Sequence, residues 1–353
     1  MKSVARVELK PGMSVAEDVL DYNGNVIVKK ETELTQALID RLARHSVMVV
    51  SIHEKIDFAT THFEKVRYSD GFQKFVAVYE HNFPIYKTTL MDFVQYQQTF
   101  NVDDLMMVYD NIVSAADSPE TLLDYLYNMT PSEDDLTHAH CLNSALIAGV
   151  FGQWLGLSPV DQDIFIQTGF VYDMGKLRIP DSILWKPGKL DDSEMKLLRR
   201  HTAMGYDLVK NLPINMHIPF AALQHHERCD GSGYPNGLKG DAIDPFAKYI
   251  AIVDTYEAMT SARLYRQSLN PFQVIAHFEE SRGFERYDGA ALRIILTHIA
   301  ETQVGLPVRL SDGRKAEVES INGHALSHPN VKLVDNGVLL DTSAFGLNVE
   351  AIF

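Results

Sequence analysis

Apolar positions recur at two periods along this chain. Over residues 4–9 they alternate, as in a half-buried strand, and the apolar runs 15–20 and 26–28 flank Asn23-Gly24, a pair suited to a hairpin turn. Residues 35–44 switch to helical spacing, with Leu38, Ile39 and Leu42 on one side, and residues 47–52 read as a closing strand. Residues 1–55 therefore predict a small α/β module. From 56 to 131 the period is helical: Phe72, Phe75, Val76 and Tyr79, then Leu105, Met106 and Tyr109, then Leu122, Leu123 and Leu126. Pro84 and Pro119 mark breaks. This segment reads equally well as a linking bundle, a dimerisation surface or a covered domain edge.

Residues 132–300 are the densest helical stretch. A helix over about 135–155 carries His140 among Leu142, Leu146 and Val150. The next places Phe165, Gly169, Tyr172 and Asp173 at helical spacing, with Gly175 and Pro180 set to end it. Lys176, three residues after Asp173, shares its face. By itself this is also what an ordinary core helix with its cap looks like. Asp191 and Glu194 form a capping box for a helix with Leu197, His201, Gly205 and Leu208 in one stripe. Another helix ends in Gln224-His225-His226-Glu227, followed by a glycine-rich loop over 230–237. Residues 246–259 are helical again, with Ile250 one turn before Asp254. Beyond 300 the period returns to short strands, at 308–310, 316–321, 331–334 and 338–340. Asp312-Gly313 and Asn336-Gly337 supply turns. Residues 301–353 thus predict a β-meander with no evident chemistry.

A length of 353 residues predicts two or three domains. The net charge of −15 argues against a general nucleic-acid surface, so an anionic ligand would need metal ions or a local basic cluster. No apolar run approaches the ~18 residues of a membrane span, and the N-terminus lacks a signal-peptide stretch. Two cysteines, Cys141 and Cys229, make no disulfide framework; a reducing cytoplasm is expected.

The chemistry lies in polar groups on apolar helix faces: His140, Asp173, His201, His225, His226 and Asp254. Histidine and carboxylate are ligands for iron, manganese, zinc or nickel. One such His is usually a satisfied core residue; a set of them in one helical domain is harder to explain that way.

His140, Tyr172-Asp173-Met174-Gly175-Lys176, His201, His225-His226-Glu227, Asp230-Gly231-Ser232-Gly233-Tyr234-Pro235 and Asp254 together resemble an HD-GYP domain, over roughly residues 130–300. That family is a branch of the HD phosphohydrolases that degrades the bacterial messenger cyclic di-GMP. The resemblance implies a mainly α fold, a helical metal-dependent phosphohydrolase bundle over 132–300, flanked by the N-terminal module and the C-terminal strands. It implies up to two transition-metal ions, divalent or mixed-valence, iron or manganese. His140, Asp173 and Asp254 would hold the first ion. His201 and His225 would help Asp173 hold the second, with His226 nearby. Lys176 would pair with a phosphate oxygen, Arg263 and Arg266 would grip the ligand phosphates, and Tyr234 would line a guanine pocket. A homodimer or a signalling partner is also implied.

Two departures stand out. Where the family carries its His-Asp pair, this chain has Tyr172-Asp173, and a phenol must lose a proton of pKa ~10 to become an anionic ligand. Leu136 stands where some members carry a glutamate for a third metal; Glu133, Asp134 and Asp135 are nearby but off the right face. At most two metals are expected, with the first site weakened. The reading is a slow cyclic di-GMP phosphodiesterase yielding the linear dinucleotide or GMP; the alternative is an impaired cyclic di-GMP receptor or scaffold.

Overall fold

The computed structural model describes all residues except 1, 7–8, 12, 22–23, 31, 46, 54–57, 59, 97–100, 133–134, 187 and 262–267. Arg263 and Arg266, Glu133 and Asp134, and Asn23 of the first hairpin lie outside the described residues.

The chain divides into two compact units, Met1–Ala59 and Thr60–Phe353. In the first, β1 (Lys2–Ala5), β2 (Ser14–Val15) and β5 (Val49–His53) form an antiparallel sheet in the order β1-β5-β2, and β3 (Val19–Leu20) pairs with β4 (Val26–Val28). Helix α1 (Gln36–Arg44) starts at Thr35, whose side chain accepts the Leu38 N–H. It adds Leu42 to a core with Val15, Leu34, Val50 and Ile52.

The second unit is mainly helical. It opens with α2 (His62–Arg67), α3 (Asp70–Tyr96), α4 (Val102–Val113) and α5 (Pro119–Asn128). Pro119 does start a helix, at N1 behind the Ser118 cap. Pro84 does not break one: α3 runs through it. An interior proline costs about 3 kcal/mol, but Phe75, Tyr86 and Leu90, on both sides of it, are almost wholly buried. Each such side chain contributes about 1.5–3 kcal/mol, which outweighs the lost hydrogen bond.

Helix α6 (Leu136–Trp154) is the axis of the unit. Every residue from Thr137 to Gly152 is buried, so it is packed on all sides. Around it lie α7 (Pro159–Val171), α8 (Asp181–Leu184), α9 (Asp192–Arg199), α10 (His201–Val209), α11 (His217–Gln224), α12 (Pro245–Thr260), α13 (Pro271–Glu280), α14 (Gly283–Arg286) and α15 (Gly289–Glu301). The Asp191–Glu194 capping box is present, but the stripe read as one helix is two, α9 and α10, parted at Arg200.

The C-terminal strands β6 (Pro307–Leu310), β7 (Lys315–Ser320), β8 (Asn330–Leu333) and β9 (Leu339–Asp341) form the expected meander. After α16 (Thr342–Phe345), a further strand, β10 (Val349–Ile352), returns to pair with β6. Val308, Leu310, Ala316, Val318 and Val331 share one core with the helices. No helix among the described residues is long and apolar enough to cross a membrane.

Candidate metal centre

Helix α7 stops at Val171, short of Asp173, which contradicts the reading of one continuous helix. Asp173 instead precedes a 3₁₀ turn, Met174–Arg178. A 3₁₀ turn eclipses positions three apart, so Asp173 and Lys176 still face each other, with Nζ 2.5 Å from Oδ2. The cause is Gly175. A Cβ there would lie 2.0 Å from the His201 carbonyl oxygen and 2.6 Å from the Gly205 nitrogen. Only glycine lets the turn press against α10 and carry Asp173 to His201. Gly175→Ala is therefore expected to push these backbones apart at a cost of about 1–3 kcal/mol, read as a lower melting temperature with loss of bound metal. An unchanged melting temperature would refute this account of the turn.

Five helical segments each bring one or two donors to the site. His140 comes from α6, Asp173 from the turn, His201 from the start of α10, His225 and His226 from the end of α11, and Asp254 from α12. Their ligand atoms form two clusters, His140–Asp173–Asp254 and His201–His225–His226, each within 4.8 Å. Asp173 lies between them. Its Oδ2 is 3.6 Å from His140 Nε2, and its Oδ1 is 3.4 Å from His201 Nε2 and 3.8 Å from His225 Nε2. The side chain is wholly buried. Apart from the ion pair with Lys176, neither oxygen has a hydrogen-bond partner among the described residues. A buried carboxylate in that state is costly without further cations.

The second cluster is prepared for one. His201 Nδ1 lies 2.7 Å from the Leu198 carbonyl, and His225 Nδ1 lies 3.0 Å from that of Ala222. Both Nδ1–H groups therefore donate to backbone, which leaves lone pairs on both Nε2 atoms, 3.2 Å apart. Two acceptors face each other where a cation fits. Burial, above all, lowers the pKa of His201, drives that of His225 well down and brings His226 to about 3. All three are neutral, as ligation requires.

The first cluster is in a different state. Burial alone would lower the His140 pKa, but Glu257 and Asp254 outweigh it and raise it to about 10. Asp254 is held well below the ordinary carboxylate range: burial opposes this, but its hydrogen bond with His140 and the charge of His140 prevail. The Tyr172 hydroxyl sits among these groups, 2.5 Å from His140 Nε2, 3.2 Å from Asp254 Oδ1 and 3.1 Å from Ser144 Oγ. Burial first, then Asp254 and Asp173, push its pKa well above the ordinary value, so it remains a neutral phenol. A metal in this cluster must displace both a proton and that hydroxyl from His140.

The Tyr234 ring stacks on His226 at 4.7 Å, and the Arg199 guanidinium lies 4.8 Å over its face. The loop bearing it is fastened by buried Glu227, which accepts the Asn236 and Leu238 N–H groups. The sequence reading missed Arg199 and Glu257. The signal for Glu257 was present: it lies three residues after Asp254, on the same helix face. The second cluster fits a divalent transition metal, since neutral imidazoles with free Nε2 lone pairs converge there beside the Asp173 carboxylate.

Part of this chain is similar to known proteins. A family model described as "HD domain" matches residues 124–291. The chain is 40% identical over 153 residues to "Cyclic di-GMP phosphodiesterase response regulator RpfG" of Xanthomonas campestris pv. campestris, covering 42% of this chain and 40% of that protein. It is 33% identical over 204 residues to "Cyclic di-GMP phosphodiesterase PA4108" of Pseudomonas aeruginosa, covering 57% and 49%. It is 39% identical over 172 residues to "3'3'-cGAMP-specific phosphodiesterase 1" of Vibrio cholerae, covering 48% and 39%. The chain thus spans about half or less of the length of these relatives. A solved structure, "Bd1817, a HDG"Y"P protein from Bdellovibrio bacteriovorus", is similar with a TM-score of 0.49 at 14% identity, covering 85% of this chain and 99% of that one.

Proposed function

We propose, on the premise that residues 124–291 are an HD domain, that this chain is a metal-dependent phosphodiesterase that opens cyclic di-GMP to the linear dinucleotide or GMP. One observation carries the reading: the wholly buried Asp173 carboxylate faces both donor clusters and, apart from its ion pair with Lys176, has no hydrogen-bond partner among the described residues. The names of its relatives supply the substrate class. His140, Asp173 and Asp254 would hold one ion, and Asp173, His201 and His225, with His226 beside them, the other. Iron or manganese suits this mixed nitrogen and oxygen set. Such a metal pair, when bound, supplies a hydroxide at neutral pH and withdraws charge from a phosphodiester.

The chain's own groups do the rest. Lys176 stays an ammonium: burial lowers its pKa, but Asp173 and Asp254 raise it further. Partly exposed, it is placed to hold a phosphate oxygen as charge develops. Lys176→Ala should then lower turnover by about 10²–10³-fold with metal content retained, measured by elemental analysis beside a rate assay. An unchanged rate in metal-loaded protein would remove Lys176 from the reaction. The His226–Tyr234–Arg199 stack offers a flat face for a purine, and Arg263 and Arg266 would grip the phosphates. Residues 132–300 would form the catalytic part and 301–353 a β extension packed on it. Segment 56–131 would link or dimerise, and 1–55 would be a separate module. A cytoplasmic setting fits this substrate and the two free cysteines.

A second reading, a cyclic di-GMP receptor without turnover, is favoured by the Tyr172 hydroxyl lying against His140 Nε2. Chromatography of cyclic di-GMP and 3′3′-cGAMP after incubation with iron- or manganese-loaded protein decides between them. Ring opening that disappears in Asp173→Ala supports the enzyme. Tight binding without product under either metal sinks it.

A further inference from the structure

His140 is held from behind by hydrogen bonds that begin outside the helices of the metal centre. Its Nδ1 lies 2.5 Å from Glu257 Oε2. Asn143 Nδ2 donates to the other carboxylate oxygen, Oε1, at 3.2 Å. The Tyr79 hydroxyl of α3 donates to Asn143 Oδ1 at 2.9 Å. Tyr79, Asn143 and Glu257 are each at most 5% exposed.

The sense of every link follows. Burial, and next the charge of Glu257, push the Tyr79 phenol far above its ordinary pKa, so its oxygen keeps the proton. Asn143 must then accept on Oδ1, which turns its amide nitrogen toward Glu257. Glu257 has one oxygen committed to Asn143, and the other faces Nδ1, where a carboxylate can only accept. The proton on that side therefore belongs to His140 Nδ1. Only Nε2 is left to address Asp173 and Asp254. Glu257 itself belongs to neither donor cluster.

We infer that Tyr79, Asn143 and Glu257 form a positioning relay that sets the ring orientation and the Nδ1–H tautomer of His140, so that its Nε2 is presented to the metal. This rests on the reading of His140 as a ligand. The relay starts in α3, ahead of the residues 124–291 matched by the HD domain model. The metal centre is thus completed by a helix that precedes that domain.

The test uses the full chain with its histidines labelled with nitrogen-15. The Nδ1–H of His140 should give a far-downfield proton resonance, assigned by its disappearance in His140→Gln. Glu257→Gln should abolish or strongly shift it, Glu257→Asp should partly keep it, and Tyr79→Phe, which removes one oxygen and leaves the packing, should shift it measurably. Cobalt titration of the natural protein and of Tyr172→His, followed by visible absorption, should show the weaker cobalt site loosened about 10–100-fold by Glu257→Gln and less by Tyr79→Phe. If Glu257→Gln fails to fold, Tyr79→Phe decides. A resonance and cobalt affinities in Tyr79→Phe and Glu257→Gln equal to those of the parent overturn the relay. No cobalt absorption in either parent overturns it together with the metal reading. Cobalt binding that responds as stated, without cyclic dinucleotide hydrolysis, supports the relay and removes only the proposed activity.

Discussion

Asp173→Ala should leave the purified protein essentially free of metal, whereas His201→Ala should keep part of its complement. The reason is geometric. Asp173 presents one oxygen to each cluster, 3.6 Å from His140 Nε2 and 3.4 Å from His201 Nε2, so its loss removes an anionic ligand from both. His201 belongs to one cluster only. Loss of a partner that merely orients a ligand costs about 10–100-fold in metal affinity, and a shared ligand should cost more. The substitution also removes the nearest counter-ion of Lys176 and leaves Asp254 as the remaining anion that acts on it. Plasma emission analysis of protein purified without added metal checks this. Equal retention in the two variants would show that Asp173 does not bridge.

Tyr172→His is expected to act in the opposite direction. The natural phenol is wholly buried and neutral, and its hydroxyl takes up the space and the hydrogen bond at His140 Nε2. An imidazole there offers a lone pair instead. Metal content should rise by one equivalent, and cyclic di-GMP hydrolysis should increase on the order of a hundredfold, or about 2.7 kcal/mol of barrier. Tyr172→Phe is the control. It removes the hydroxyl from Ser144, His140 and Asp254 without adding a ligand, so it should gain neither metal nor rate. If the natural protein already holds two ions and both variants match it, Tyr172 is a packing residue and the account of a weakened first cluster fails.

The chain's helices were legible because burial imposes a period on local sequence. Phe72, Phe75 and Tyr79, or Leu142, Leu146 and Val150, announce a buried face whatever they pack against. Caps and tight turns were legible for a similar reason. The Asp191–Glu194 box satisfies backbone groups only three residues away, and Gly313 and Gly337 adopt the positive φ that their turns require. The polar residues of the candidate metal centre stood out because each interrupts an apolar face, and interruptions of that kind need a partner.

What those partners are is decided by contacts far apart in sequence, and no local pattern encodes them. The 3₁₀ turn after α7 exists because Gly175 meets His201 and Gly205, some thirty residues on. Pro84 is tolerated because aromatic residues on both sides of it are buried, with the Tyr86 hydroxyl reaching the Phe170 carbonyl. Glu257 reads as one more helix carboxylate until folding places it against His140, 117 positions away. Strand β10 is short and weakly patterned, and its place follows from the open edge of β6. The sequence by itself determined the residue types, their helices and the family likeness, because these depend on neighbours within a turn or two. Tertiary structure alone decided that Asp173, paired only with Lys176, faces both donor clusters, that the Tyr172 hydroxyl lies on His140, and that Tyr79 of α3 reaches Asn143. Those outcomes depend on distances between helices, which are set by the packing of the whole core.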